Sequence, residues 1–276
     1  MRLLFFLVII LLPILATSQS VGKLGTPLAE IPLENLDLVS FDTKDQLFAS
    51  TSLGDIYLFS QDGKQLNLFS PARQGRLNQL EAGWTVNIFT FSADLQQYRI
   101  LDRFLNPLAE KGFSLADISL AKAATLGNNN VVWVWDESDL SLKSLDYLRN
   151  QVIQSQPLNL ILESEDLSVS EIREFKNRLF MNAPESGVFI FDNQGNLMRK
   201  IEVKGINKLC YYKEHLIWIE GNNLMAVSLS TNDIVTLADL DNSEAAYLQI
   251  GQERIALVSK DKISLYSTPS WLKSFK

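Results

Sequence analysis

Cysteine and histidine are almost missing from this chain: Cys210 and His215 are the only ones in 276 residues. An internal disulfide framework, a Cys/His zinc cluster and any site built on two histidines are thereby excluded. Positive charge is also short. The 25 Lys and Arg face 32 Asp and Glu, for a net charge of −7. Sequence-independent nucleic-acid binding needs a cationic surface, so nucleic acid is not an expected partner. Glycine (13) and proline (8) are too few for a collagen-like or low-complexity chain, and 46% hydrophobic residues argue against disorder.

Long apolar runs are confined to the start. Arg2 precedes an apolar stretch over residues 3–15, which is shorter than the roughly 20 residues needed to span a bilayer as a helix. Ala16 and Ser18 fit the small −3 and −1 positions of a secretory signal, so cleavage is expected before Gln19. An uncleaved anchor or a buried helix is the competing reading of this segment. No later stretch approaches roughly 18 uninterrupted apolar residues, so no transmembrane segment is expected after cleavage. The chain is therefore expected to be exported. Cys210 lies in the apolar stretch Leu209-Cys210-Tyr211-Tyr212 and is expected to be buried and inert.

What is abundant is the short alternating run. A polar turn, an apolar strand, a second turn and a second apolar strand recur along the chain. The first strands of six copies start at Leu47, Val86, Val131, Leu179, Leu216 and Ile255. Their spacing is about 37–48 residues, the period of a four-stranded propeller blade. After removal of residues 1–18, six blades would each have about 43 residues, close to that period. Phe59 and Phe191 each stand four residues before a glycine, Gly63 and Gly195, suited to a tight turn of positive φ. The expected fold is all-β: a six-bladed β-propeller of four-stranded antiparallel blades over residues 19–276. An open β-sandwich or two smaller β-domains is the alternative.

Within a blade, the repeated pairs read as the second and third strands. Residues 36–41 and 206–212 read as first strands, and 65–69 and 196–203 as fourth strands. The last copy lacks a fourth strand after Tyr266, whereas residues 27–33 form a spare extended segment with proline at 27 and 32. Proline suits an edge strand, so this segment is expected to close the ring. Residues 149–172 are long for a blade connection and should hold a fourth strand, a strand-like 158–162 and an inserted loop.

Chemistry is sparse. His215 occupies a turn position held by Gln46, Arg178 and Arg254 in other copies, and reads as a polar turn residue. Asp136, Glu137 and Asp139, and separately Glu163, Glu165 and Asp166, could hold a hard cation, but a solvated acidic loop is the simpler reading. Two carboxylates facing across a pocket could perform glycosidic chemistry, but spacing cannot place them so. Trp133 and Trp135 share one strand face and, with Trp218, read as core. Trp84 and Trp271 fit the repeat less well and, with Arg73 and Arg103, are the candidate binding residues. No catalytic residue, metal or cofactor is expected.

The repeat resembles the β-propeller superfamily. Phe69-Ser70-Pro71-Ala72-Arg73-Gln74-Gly75, with Ile100-Leu101-Asp102-Arg103-Phe104-Leu105-Asn106, resembles an uncharacterised group of exported propeller-like proteins from Bacteroidetes. That resemblance implies an envelope location, periplasmic or associated with the outer membrane, and supplies no site residue. The expected function is a non-catalytic interaction scaffold or accessory subunit with a protein partner in the cell envelope. The alternative is a glycan- or peptide-binding protein, or an enzyme, with its site at the mouth of the central channel.

Overall fold

A computed structural model describes residues 22–83, 87–159, 161–162, 167–241 and 244–275. The residues of the expected export signal, Trp84, and the acidic group at 163, 165 and 166 lie outside them. Six antiparallel sheets follow one another along the chain. Blade 1 contains Leu36–Phe41, Leu47–Thr51, Ile56–Phe59 and Gln65–Phe69, counted from the axis outward. Blades 2, 3, 4 and 5 begin with the inner strands Gln79–Glu81, Ala121–Leu126, Glu171–Phe175 and Tyr211–Tyr212. Blade 6 contains Tyr247–Ile250, Arg254–Val258 and Lys262–Ser267, and takes its outermost strand from Ala29–Pro32. The ring is therefore a six-bladed β-propeller closed by its N-terminal strand, with Ala29 opposite Leu265 and Ile31 opposite Ile263.

Six apolar clusters hold the ring together, one at each seam between neighbouring blades. Phe48 and Ile56 meet Leu80 and Ile88 between blades 1 and 2. Trp133 and Trp135 meet Leu179 and Met181 between blades 3 and 4. Ile31, Ala256 and Val258 meet Val39, Phe41 and Leu47 where the ring closes. Each fully buried large apolar side chain contributes about 1.5–3 kcal/mol of transfer free energy. Because both faces of each sheet carry such residues, no blade can bury its core without two neighbours.

The turn chemistry explains the strand boundaries. Gly63 and Gly195 have φ of +82° and +77° in the turns between third and fourth strands. Asp192 Oδ1 accepts the amides of Gln194 and Asn196 at 2.8 and 2.9 Å, and Asp102 Oδ1 accepts those of Phe104 and Asn106 at 2.8 Å each. In that second turn Leu105 takes the position of the glycine, at φ +69°. Residues 102–106 are thus a self-capped hairpin turn.

Three sequence expectations need correction. The described residues of 158–162 form no strand: Leu158 is buried and its carbonyl accepts the amides of Ile161 and Leu162 at 2.9 Å each, as in a helical turn. Only Tyr211–Tyr212 of the expected strand 206–212 pairs as an inner strand. Blade 5 has an unexpected fifth strand, Gly22–Lys23, lying parallel to Ile234–Asp239. A short helix, Ser270–Ser274, locks that strand in place. Trp271 packs so closely on Gly22 that an added Cβ would lie 2.6 Å from its ring, and its indole N–H donates to the Lys23 carbonyl at 3.2 Å.

Candidate functional site

In an antiparallel blade the first and third strands end on the same face. The loops following five of the six inner strands meet there, around the axis, and leave a concave mouth of about 260 Å³. Phe41 and Asp42 come from blade 1, Gly83 from blade 2, Phe175 and Lys176 from blade 4, Tyr211 and Lys213 from blade 5, and Gly251 from blade 6. Arg173 reaches the mouth from below. In a chain of net charge −7, three cations line this cavity against one carboxylate. That carboxylate is already engaged: Asp42 Oδ1 accepts the amides of Lys44 and Gln46 at 2.8 Å each, closing its own turn.

Beneath the mouth the channel narrows to about 10 Å³ and is filled by a polar network rather than by water-accessible space. Arg173 Nη1 donates to the Leu209 carbonyl at 2.9 Å and to Gln249 Oε1 at 3.3 Å. Gln249 Nε2 donates to the same carbonyl at 3.1 Å, and the Leu209 amide donates to Glu171 Oε2 at 2.9 Å. Glu81 Oε1 accepts from Thr125 Oγ1 at 2.7 Å and from Gln79 Nε2. Burial pushes the Glu81 carboxyl up to about 7, against the attraction of Arg173 and these two hydrogen bonds. The inner strands supply the buried polar residues Gln79, Glu81, Thr125, Glu171 and Gln249, which satisfy one another and nearby backbone groups in this network.

The candidate residues do not converge. Arg73 is exposed on the opposite face, in the loop from blade 1 to blade 2, where its carbonyl accepts from Arg99 Nη2 at 3.0 Å. Arg103 lies on the mouth face but at the outer turn of blade 2, its guanidinium 4.8 Å from the Phe104 ring centre. Trp271 is half-buried in the clasp over Gly22. Trp84 lies outside the described residues, although Gly83 before it lines the mouth. The residues that do converge, Arg173, Lys176 and Lys213, were missed. Arg173 within an inner strand, and a lysine directly after the inner strands of blades 4 and 5, were the available signal.

Other expected features resolve plainly. Cys210 is buried, and its thiol is pushed up to about 12 by that burial. His215 is not a turn residue. It starts a strand, is buried, and its ring lies 4.3 Å from that of Phe275, with burial lowering its pKa. Asp136 is not part of a solvated acidic loop either. It is fully buried, and the ammonium of Lys143 sits 2.7 Å from both Asp136 and Asp139, supplying the cation that this cluster requires. Among the described residues no group of three or more His, Cys, Asp or Glu is placed to hold a metal ion, and no helix is long and apolar enough to cross a membrane.

No protein-family model and no curated protein matches the chain. Solved structures do. The chain is similar to the Pan2 WD40 domain of Neurospora crassa, with a TM-score of 0.60 and 13% identity over 85% of this chain and 78% of that one. It is similar to the Cps50 β-propeller domain of Myceliophteria thermophila at a TM-score of 0.63 and 10% identity, covering 88% and 99%. A chain of the mitotic checkpoint complex gives a TM-score of 0.63 and 10% identity over 97% of this chain and 99% of its own. These likenesses define a β-propeller. At such identities they carry the fold and no function.

Proposed function

We propose that the protein is an exported, non-catalytic scaffold of the cell envelope that docks a protein partner on its mouth face. One observation carries this reading. Loops from five blades, each braced by two inter-blade cores, build a single concave mouth of cations and aromatics on an otherwise acidic body. Rigid presentation of arginine and aromatic side chains is what a binding hot spot needs, because little ordering entropy is lost on docking. The use of a similar fold within the mitotic checkpoint complex supports the scaffold reading by analogy. Export rests on the basic residue, apolar stretch and small residues of the first eighteen positions. The alternative, a small-ligand receptor or enzyme at the same mouth, is favoured only by its concavity.

The test is capture from envelope extracts of the source cells on immobilised protein. Wild type, a Lys176→Glu/Lys213→Glu variant and a rim control, Leu68→Ser, are compared after circular dichroism has confirmed their folding. A partner retained by wild type and control and lost by the mouth variant is expected. Capture indifferent to the mouth charges overturns the docking face. A full-length chain found in the cytosol with its first eighteen residues intact overturns export.

A further inference from the structure

We infer that the mouth is a receptor for a carboxylate carried on a peptide, held over Arg173 with Lys213 beside it. This inference rests on the mouth-face reading above and gives its ligand chemistry. Arg173 and Lys213 are fixed in place by neutral oxygens. Arg173 Nη1 donates to a carbonyl and a side-chain amide, and Lys213 Nζ donates to the carbonyls of Lys273 and Phe275 at 2.6 and 2.8 Å. Among the described residues neither cation forms an ion pair. Lys176, by contrast, is paired with Glu214 at 2.6 Å. Among the described residues the buried Arg173 Nε has no hydrogen-bond partner. Two charges are thus held in place by neutral oxygens, with no carboxylate within 4 Å among the described residues and Glu81 and Glu171 acting on Arg173 only from farther below, in a concave site walled by Phe41 and Tyr211. An arriving anion meets donors already held in place, the guanidinium half-buried and the ammonium exposed at the rim.

Shape narrows the ligand further. A cavity of about 260 Å³ admits one or two side chains and no folded element. A Cβ on Gly83 would stand 3.6 Å from the Phe41 carbonyl and 3.9 Å from Arg173 Nη2, so any side chain there would lie against the guanidinium. The main chain is bare at Gly83, so an extended peptide can approach it closely. A carboxylate matches the forked geometry of a guanidinium, and the aromatic walls favour an apolar or aromatic neighbour on the same peptide.

The experiment is calorimetric titration of the folded protein with N-acetyl-Phe-Glu, with its diamide and with a glucuronate trisaccharide. The dipeptide acid is expected to bind, and the diamide to bind at least about tenfold more weakly, the loss expected for one charge-assisted hydrogen bond. Arg173→Gln and Lys213→Gln should each weaken the acid, and Gly83→Val should exclude it with both charges still present. Arg149→Gln, on an exposed turn of blade 3, serves as the neutral control. Equal binding of acid and diamide, full binding to Gly83→Val, or a preference for the glucuronate overturns the peptide-carboxylate inference. If no probe binds while capture still depends on the mouth charges, the inference fails and the scaffold reading stands. If capture is also indifferent, the docking face fails with it.

Discussion

Asp136→Asn should cost the protein about 2–3 kcal/mol at neutral pH and remove one component of its acid sensitivity. In the wild type the carboxylate is fully buried and accepts from Lys143 Nζ at 2.7 Å, Ser138 Oγ at 2.7 Å, and the amides of Ser119, Leu120 and Ser138 at 3.0, 3.1 and 3.1 Å. Burial opposes ionisation, but these five donors outweigh it and hold the group at about 2, against 3.8 unperturbed. That difference corresponds to about 2.5 kcal/mol of stability. Because the folded-state value is the lower one, the contribution is complete above pH 4 and lost as pH falls toward 2. Losing one member of a buried pair costs about 3–5 kcal/mol, and here Lys143 keeps Asp139 at 2.7 Å, which lowers the expected cost toward the same figure. Urea unfolding followed by circular dichroism at pH 7, 4 and 2.5 measures both effects. A midpoint loss equivalent to under about 1 kcal/mol at pH 7, or an unchanged difference between variant and wild type from pH 4 to pH 2.5, refutes the reasoning.

Glu81 should show the opposite slope. Its carboxyl, raised by burial to about 7 from 4.5, keeps a proton in the fold that the unfolded chain releases, so about 3 kcal/mol is lost as pH rises from 4.5 through 7. Arg173 and Glu171 face it from blade 4, and Thr125 and Gln79 bond it. Glu81→Gln should therefore raise stability at pH 8 and change little at pH 5, and an equal effect at both in thermal melts would contradict this assignment. Trp271→Ala should loosen the N-terminal clasp, costing about 1–2 kcal/mol for a half-buried aromatic. Hydrogen exchange should speed up at Gly22–Lys23 and not in blades 2 and 3, whereas uniform acceleration would refute a local role. Replacing Leu105, at φ +69°, by Gly relieves a strained turn but empties a buried side-chain site. Net destabilisation of about 1–3 kcal/mol is expected, and a more stable variant would show that backbone strain dominates.

The blades were legible because their physics is local. Polar turns alternate with strands about four to six residues long, and strand alternation places Trp133 and Trp135 in one seam without reference to distant residues. The exceptions have specific causes. Leu105 conceals a turn that glycine would have announced, and only the shared Asp–Asn pair of residues 102 and 106 reveals its likeness to 192 and 196. Tyr211–Tyr212 is too short to show a period. The mouth was illegible because Arg173 and Lys213 lie 40 positions apart and acquire meaning only when inner strands from separate blades share one axis. Asp136 was misread because its partner Lys143 lies across a hairpin, and spacing alone cannot distinguish a paired carboxylate from a solvated one.

The closing strand also sets a schedule. Glu30 and Lys262, whose side chains meet at 2.9 Å, are 232 positions apart, so the ring stays open until almost the whole chain has been made. Bringing such distant segments together costs about 5 kcal/mol of loop entropy, a step placed at the end of folding rather than shared among the blades. Until then the outer edge of Lys262–Ser267 has no partner on one side, and the seam around Ile31 is unfilled. The chain is exposed to mispairing for longest at this point. Blades 1 to 4 can stack as they emerge, but Gly22–Lys23 and Ala29–Pro32 must wait for a tail not yet present. Assembly is sequential along the chain and becomes circular only in its last step.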